Sequence, residues 1–172
     1  MREIEVKFLE VNPEDVISSL EDLGAKRVFD GEIVADYFDF DDKRLTKNDA
    51  TIRLRTKGDI VELTLKQRKD YEQAKVCDEY EVNVSDAETM KEILKHLSLQ
   101  FKRRITRHRI SYLLGKTRFE IDTVPGIPPF LEIEAPTVED IKKYAEKLGL
   151  SMKHAKPWST TDVQKFYKKK KQ

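Results

Sequence analysis

A single cysteine, Cys77, is all the chain contains, so no disulfide can form within it. A reducing compartment is the natural setting for such a protein, and its core has to hold without covalent staples. His96, His108 and His154 are scattered and show no Cys/His ligand spacing, which argues against a zinc site. No apolar run approaches the roughly 20 residues of a membrane span, and no signal peptide opens the chain. The reading is therefore a soluble, cytoplasmic protein with no membrane partner. Also missing is an excess of either charge: Lys and Arg total 33, Asp and Glu total 32, and the net charge is +1. A general binder of nucleic acid would carry a dominant basic surplus, so no nucleic-acid partner is expected. The one long single-sign run, Lys168 to Lys171, suits a solvated helix end where cations meet the negative pole of the dipole.

What the chain has in abundance is charge of both signs. Charged residues make up 38% of its 172 positions and hydrophobic ones another 38%, a length that suits one domain with a proper core. No linker, repeat or low-complexity stretch divides it, so residues 1–172 read as a single domain.

Helices are marked by their caps. Asn12-Pro13-Glu14-Asp15 supplies an N-cap, a first-turn proline and acids at the positive dipole end, and Val16, Ile17, Leu20 and Leu23 follow at helical spacing before Gly24. Ser85-Asp86-Ala87-Glu88 has a capping-box pattern ahead of an apolar stripe of Met90, Ile93, Leu94 and Leu97. Thr137 caps a third helix with Ile141, Tyr144, Ala145 and Leu148 on its core face, stopped by Gly149. A short terminal helix starts at Ser159 or Thr160 and carries Val163, Phe166 and Tyr167.

Between the helices, charged and apolar residues alternate with period two, the signature of strands with one polar face. Glu3, Glu5 and Lys7 share a face opposite Ile4, Val6 and Phe8. Residues 28–40 read as one or two strands and 41–48 as a loop. Arg53 and Arg55 alternate with Ile52 and Leu54, Lys57-Gly58-Asp59 turns the chain, and Glu62, Thr64 and Lys66 come back opposite Val61, Leu63 and Leu65. Residues 67–78 read as a polar, irregular hairpin tip. Glu79, Glu81 and Asn83 resume the pattern. Lys102 and Arg104, then Arg107 and Arg109, are each spaced by two, with a parity shift between the pairs that suggests a bulge or bend. Glu120 and Asp122, and after the Pro125–Pro129 loop Glu132 and Glu134, complete the set. The fold class is α+β, built mainly from antiparallel hairpins.

Residues two apart on a strand lie about 6.5–7 Å apart on one face, and cross-strand neighbours about 5 Å apart. Two architectures accommodate the pattern. In an open sheet with one wet face, acids and bases are ordinary cross-strand pairs. In a sheet curled into a barrel, eight acids and six bases line one cavity. Pattern alone favours the open sheet; against it stand the same-sign pairs within single strands, which are tolerable if something of opposite charge sits between strands. Such a lining is near −2, and a triphosphate with two divalent cations would leave that balance unchanged. Carboxylates suit Mg²⁺ or Mn²⁺, while Arg and Lys suit phosphate oxygens. That division of labour belongs to phosphoryl or nucleotidyl transfer.

The ordered segments resemble a known family. Glu3-x-Glu5-x-Lys7 resembles the ExExK signature of the CYTH superfamily, the triphosphate tunnel metalloenzymes. It is followed in order by Asp36-Tyr37-Phe38-Asp39, Ile52-Arg53-Leu54-Arg55, Leu63-Thr64-Leu65-Lys66, Glu79-x-Glu81, Lys102-x-Arg104, Glu120-x-Asp122 and Phe130-Leu131-Glu132-Ile133-Glu134. The resemblance implies a closed eight-stranded antiparallel β-barrel with helices on the outside, its tunnel binding a triphosphate with Mg²⁺ or Mn²⁺. It implies that Glu3, Glu5, Glu132 and Glu134 bind or orient metal, supported by Glu79, Glu81, Glu120 and Asp122. Lys7, Arg53, Arg55, Lys66, Lys102 and Arg104 would hold the phosphates. Lys102 and Tyr37 are the candidates for moving a proton. The substrate would be ATP, inorganic triphosphate or thiamine triphosphate. The chain is most similar to the class IV adenylate cyclases, with triphosphatase and a non-catalytic triphosphate sensor as alternatives. One departure stands out: Lys66 is followed by Gln67-Arg68 where many members carry Gly-Pro. A homodimer is compatible with the sequence and not required by it.

Overall fold

A computed structural model describes residues 2–69 and 74–170, apart from the side chains of Arg2 and Glu3. In chain order the elements are β1 (Arg2–Leu9), α1 (Pro13–Asp22), β2 (Lys26–Asp39), α2 (Arg44–Lys47), β3 (Ala50–Lys57), β4 (Ile60–Lys69), β5 (Lys75–Val84), α3 (Ala87–His96), β6 (Gln100–Leu114), β7 (Thr117–Thr123), β8 (Phe130–Ala135), α4 (Val138–Lys147) and α5 (Thr160–Lys170), with a single 3₁₀ turn, Met152–His154, after α4. The strands hydrogen-bond in the order β1-β5-β4-β3-β2-β6-β7-β8, which closes on itself. The fold is α+β, a closed antiparallel barrel with helices packed around it. Closure, and not an open sheet, is what the alternation encodes: each strand turns one face into the barrel and the other outward. Among the described residues, no helix is long and apolar enough to cross a membrane.

The chain divides into two compact units, and each has its own core. In the first, made of Gly31–Lys69 and Cys77–Arg107, Phe38 and Leu54 on the outward faces of β2 and β3 pack with Leu94 of α3 and with Leu99. β3 and β4 form a hairpin whose turn needs the positive φ of Gly58, +57°. The second unit holds Glu3–Asp30, the residues just before Cys77, and the chain from His108 onward. There Val6, Phe8, Phe119, Ile121, Leu131 and Ile133 turn outward from β1, β7 and β8, packing with Val16 and Leu20 of α1 and Ile141 and Ala145 of α4. A separate cluster joins Val124 and Phe130 to Val163 and Tyr167 of α5, and the Tyr167 hydroxyl donates to Glu10 at 2.8 Å.

The caps mostly follow the residues that announced them. Asn12 accepts from the Glu14 N–H at 3.0 Å and Thr137 from the Asp140 N–H at 3.0 Å. α3 departs from expectation twice. Its N-cap is Asp86, accepting from the Thr89 N–H, and not Ser85. Of its expected stripe only Leu94 is buried, while Ile93 and Leu97 are 45% and 61% exposed. Phe166 of the α5 stripe is likewise exposed. Much of the segment expected to be irregular is strand: β4 runs to Lys69 and β5 begins at Lys75, with Ala74 and Val76 fully buried. Residues 70–73 lie outside the described residues, as does Lys171 of the terminal basic run.

The segment 41–48 also gains a helical turn, α2, and Asp39 explains it. The buried Asp39 carboxylate accepts from the N–H groups of Phe40 (2.8 Å), Leu45 (3.0 Å) and Thr46 (3.1 Å) and from the Thr46 hydroxyl (2.7 Å). Burial works to raise its pKa, and these four donors outweigh it and hold the group below its usual value. Asp39→Ala would orphan all of them. The expected cost is about 3 kcal/mol in urea unfolding, since bonds to a charged acceptor are the strong ones. A loss below about 1 kcal/mol would show that the loop holds without this carboxylate.

Candidate active site

Strand register decides which charged side chains meet. In the second unit β1 pairs with β8, β8 with β7 and β7 with β6. One cross-strand row reads Lys7, Glu132, Glu120, Ser111, and the adjoining row begins Glu5, Glu134, Arg118. Partners in a register share a face, and the apolar residues between them face the helices, so these rows turn into the barrel.

Burial of so much charge demands pairing. The Lys7 ammonium, 1% exposed, lies 3.0 Å from Glu5 and also pairs with Glu132. Lys75, at the start of β5, reaches the same Glu5 oxygen at 2.8 Å. Arg109 grips Asp122 with two parallel bonds of 2.5 and 2.6 Å, and its remaining terminal nitrogen pairs with Glu120. Electrostatics follow from this geometry. Burial alone would raise the Glu132 pKa, but Lys7 and Arg109 hold it well below the usual carboxylate range. Burial alone would lower the Lys7 pKa, and Glu132 with Glu5 reverses that and raises it. The Ser111 hydroxyl is fully buried on this face and has no hydrogen-bond partner among the described residues.

The first unit carries the basic set. Register places Tyr37 opposite Arg53, Arg53 opposite Thr64, and Arg55 opposite Glu62. Arg55 is fixed by Glu62 at 2.6 Å and Glu81 at 3.2 Å, and Lys66 by Glu79 at 3.3 Å. Arg53 donates to Thr64 at 3.3 Å, with Glu79 at 3.9 Å, while its buried Nε has no hydrogen-bond partner among the described residues. The Arg103 guanidinium stacks over the Tyr37 ring at 4.5 Å. Burial works to raise the Tyr37 pKa, but the positive charges of Arg53, Arg107, Arg103 and Lys66 outweigh it and lower it.

The CYTH domain family model matches residues 1–167. The chain belongs to the CYTH family. A Methanocaldococcus jannaschii protein named "putative adenylate cyclase" is 30% identical over 146 residues, which span 83% of this chain and 81% of that protein. A solved structure from Pyrococcus horikoshii OT3 superposes with TM-score 0.80 at 28% identity, covering 94% of this chain and 98% of that one. A Hippeastrum "putative adenylyl cyclase", whose structure is described as revealing a dominant triphosphatase activity, shares the fold with TM-score 0.67 at 14% identity, covering 94% of each chain.

Within this CYTH barrel the residues expected from the sequence sort into three groups. Glu5, Lys7, Glu120, Asp122 and Glu132 come together in the second unit, with Glu134 beside them in register. Arg53, Arg55, Lys66, Glu79, Glu81 and Tyr37 come together in the first. Lys102 and Arg104 do neither. Arg104, its side chain 53% exposed, forms a two-bond pair of 2.6 and 2.8 Å with Asp36 beside Lys91 of α3, and Lys102 lies near Asp41 at 3.6 Å. The Glu3 side chain lies outside the described residues. Inward groups left unassigned from the sequence include Arg103, Arg107 and Arg109 on β6, Lys75 on β5, Glu62 on β4 and Arg118 on β7. Counting back by twos from Ser111, the neighbour of the outward core residue Tyr112, would have reached the three arginines of β6.

The acid set has the chemistry of a hard-cation site, with oxygen donors and no sulfur or imidazole. Among the described residues, however, no three acids converge into a ready cage. Their oxygens are engaged by Lys7, Lys75 and Arg109. The donors fit a divalent cation once an ammonium gives way.

A depressed carboxylate pKa adds stability that is present above the unfolded value, about 4.3, and is lost as pH falls through the folded one. Lys7→Met removes the largest charge that depresses Glu132. The acid-unfolding midpoint read by circular dichroism should then move up by about one pH unit, with a loss of about 3–5 kcal/mol at pH 7. An unmoved midpoint would exclude Lys7 as the counter-ion that matters.

Proposed function

We propose that this CYTH protein is a divalent-metal-dependent enzyme acting on a triphosphate, with ATP cyclisation to cyclic AMP and pyrophosphate as its first assignment. The observation that carries the reading is the inward set of bases in the first unit, with Arg53, Arg55 and Lys66 each held by carboxylates, together with the inward acid-rich set of the second. The cyclase assignment is supported by the name of the 30% identical relative. Arg53, Arg55, Lys66 and Arg107 hold phosphate oxygens, and Glu62, Glu79 and Glu81 keep Arg55, Arg53 and Lys66 in place for that task. Glu5, Glu132 and Glu134 hold the metal, with Glu120 and Asp122 behind them orienting Arg109. A bound divalent cation would neutralise phosphate charge and polarise a phosphoryl oxygen. Tyr37, in the phenolate form that the surrounding cations favour, takes the proton of the attacking hydroxyl and becomes the neutral phenol. Lys102, near Asp41 at 3.6 Å, is given neither task in this reading.

Triphosphate hydrolysis is the second reading, and one contact favours it. The Arg103 guanidinium already lies over one face of the Tyr37 ring, which a nucleobase would have to share or displace. Water would then be the attacking group, with the same bases holding the phosphates.

Purified protein incubated with ATP, inorganic triphosphate or thiamine triphosphate, with Mg²⁺ or Mn²⁺, separates the readings by product mass. Cyclic AMP with pyrophosphate supports the cyclase, and orthophosphate supports the hydrolase. Tight triphosphate binding without turnover of any substrate would sink both and leave a sensor. Arg107→Ala should weaken triphosphate binding at least tenfold more than Lys102→Ala. The reverse order would return the phosphate role to Lys102.

A further inference from the structure

We propose that Lys75 is a built-in cationic competitor for the divalent metal at Glu5. The inference rests on the metal-dependent reading above and deepens it. Two ammonium groups share one buried oxygen: Lys75 Nζ lies 2.8 Å from Glu5 Oε1, and Lys7 Nζ lies 3.0 Å from the same atom. They are not equivalent. Lys7 is also paired with Glu132 across the β1–β8 register and is held from two strands. Lys75 stands at the first residue of β5 with its side chain 12% exposed. Of the two it is the more exposed, 12% against 2%.

A divalent cation needs the carboxylate lone pairs that Lys75 takes, and with two ammonium groups already on one oxygen a doubly charged third cation is repelled unless one of them leaves. Metal and the Lys75 ammonium are therefore alternative occupants of Glu5. A second, independent feature points to an occupant on this face. The Ser111 hydroxyl, cross-strand from Glu120, is fully buried without a hydrogen-bond partner among the described residues. Buried hydroxyls are rarely left so. It offers an oxygen to a hydrated cation. Without metal, Lys75 supplies the missing positive charge, and its presence sets how tightly free metal binds.

Calorimetric titration of the full chain with manganese chloride, without nucleotide, tests this on wild type, Lys75→Met and Lys75→Arg. Methionine keeps an unbranched, apolar side chain of similar reach and removes the charge; arginine retains the charge. Lys75→Met should bind Mn²⁺ at least tenfold more tightly than wild type, and Lys75→Arg should not. Adding Glu5→Gln to Lys75→Met should abolish the gain. Equal or weaker Mn²⁺ binding by Lys75→Met, in a wild type that does bind Mn²⁺, overturns this inference and leaves the proposed function standing. A gain that survives Glu5→Gln overturns it too, since the metal then sits elsewhere. No Mn²⁺ binding by any variant defeats the metal reading itself, and this inference with it. Should Lys75→Met fail to melt cooperatively, Lys75→Gln carries the same comparison.

Discussion

Charge buried inside a closed barrel has to be matched locally, and Lys7 shows how tightly. Its ammonium is shut away from water and held by Glu5 on its own strand and Glu132 on the next. Neither partner can be moved to the outward face without leaving an uncompensated ion, which is among the costliest defects a fold can carry. The β1–β8 register is therefore pinned twice: apolar side chains must meet the helices, and the ions must meet each other. A one-residue slip would break both conditions at once.

The same rule runs through the other strands. Arg109 is answered by Asp122 and Glu120, Arg55 by Glu62 and Glu81, and Lys66 by Glu79. Each unit balances its own ions on its own inward face and packs its own apolar cluster outside. On the proposed function, chemistry and stability draw on the same contacts. A base already aimed by a carboxylate loses little freedom when it meets a phosphate, because its ordering has been completed during folding. The acids of the second unit are held by ammonium and guanidinium groups in the same way, so a cation of the kind proposed would meet competition there.

Not every charged pair serves the inward face. Arg104 and Asp36 form one of the best two-bond pairs in the chain, yet they belong to the outer layer beside α3. Asp39 spends its carboxylate on the backbone of the following turn. Both lie within a segment whose charged residues look uniform from composition, and only their neighbours separate structural ions from chemical ones.

Much of this was legible in the order of residues. Period-two alternation names the strands, Asn12, Pro13 and Thr137 mark two helix starts, and the seven segments after Glu3-x-Glu5-x-Lys7 identify the CYTH family. Those features are local or ordered along the chain, so no folding is needed to see them. What the tertiary structure alone decided is where the faces point over long strands. β6 runs without a break from Gln100 to Leu114, and an alternating charge pattern reads equally well from Lys102 or from Arg103. The core contact of Tyr112 chooses the second, which turns Arg103, Arg107 and Arg109 inward and leaves Arg104 to Asp36. Lys75 was hidden for a related reason. It sits at the polar start of a strand, and its importance comes from Glu5, seventy residues away in the chain and 2.8 Å away in space. Parity and helical spacing can be counted from sequence, whereas the partner that neutralises a buried charge exists only once the barrel has closed.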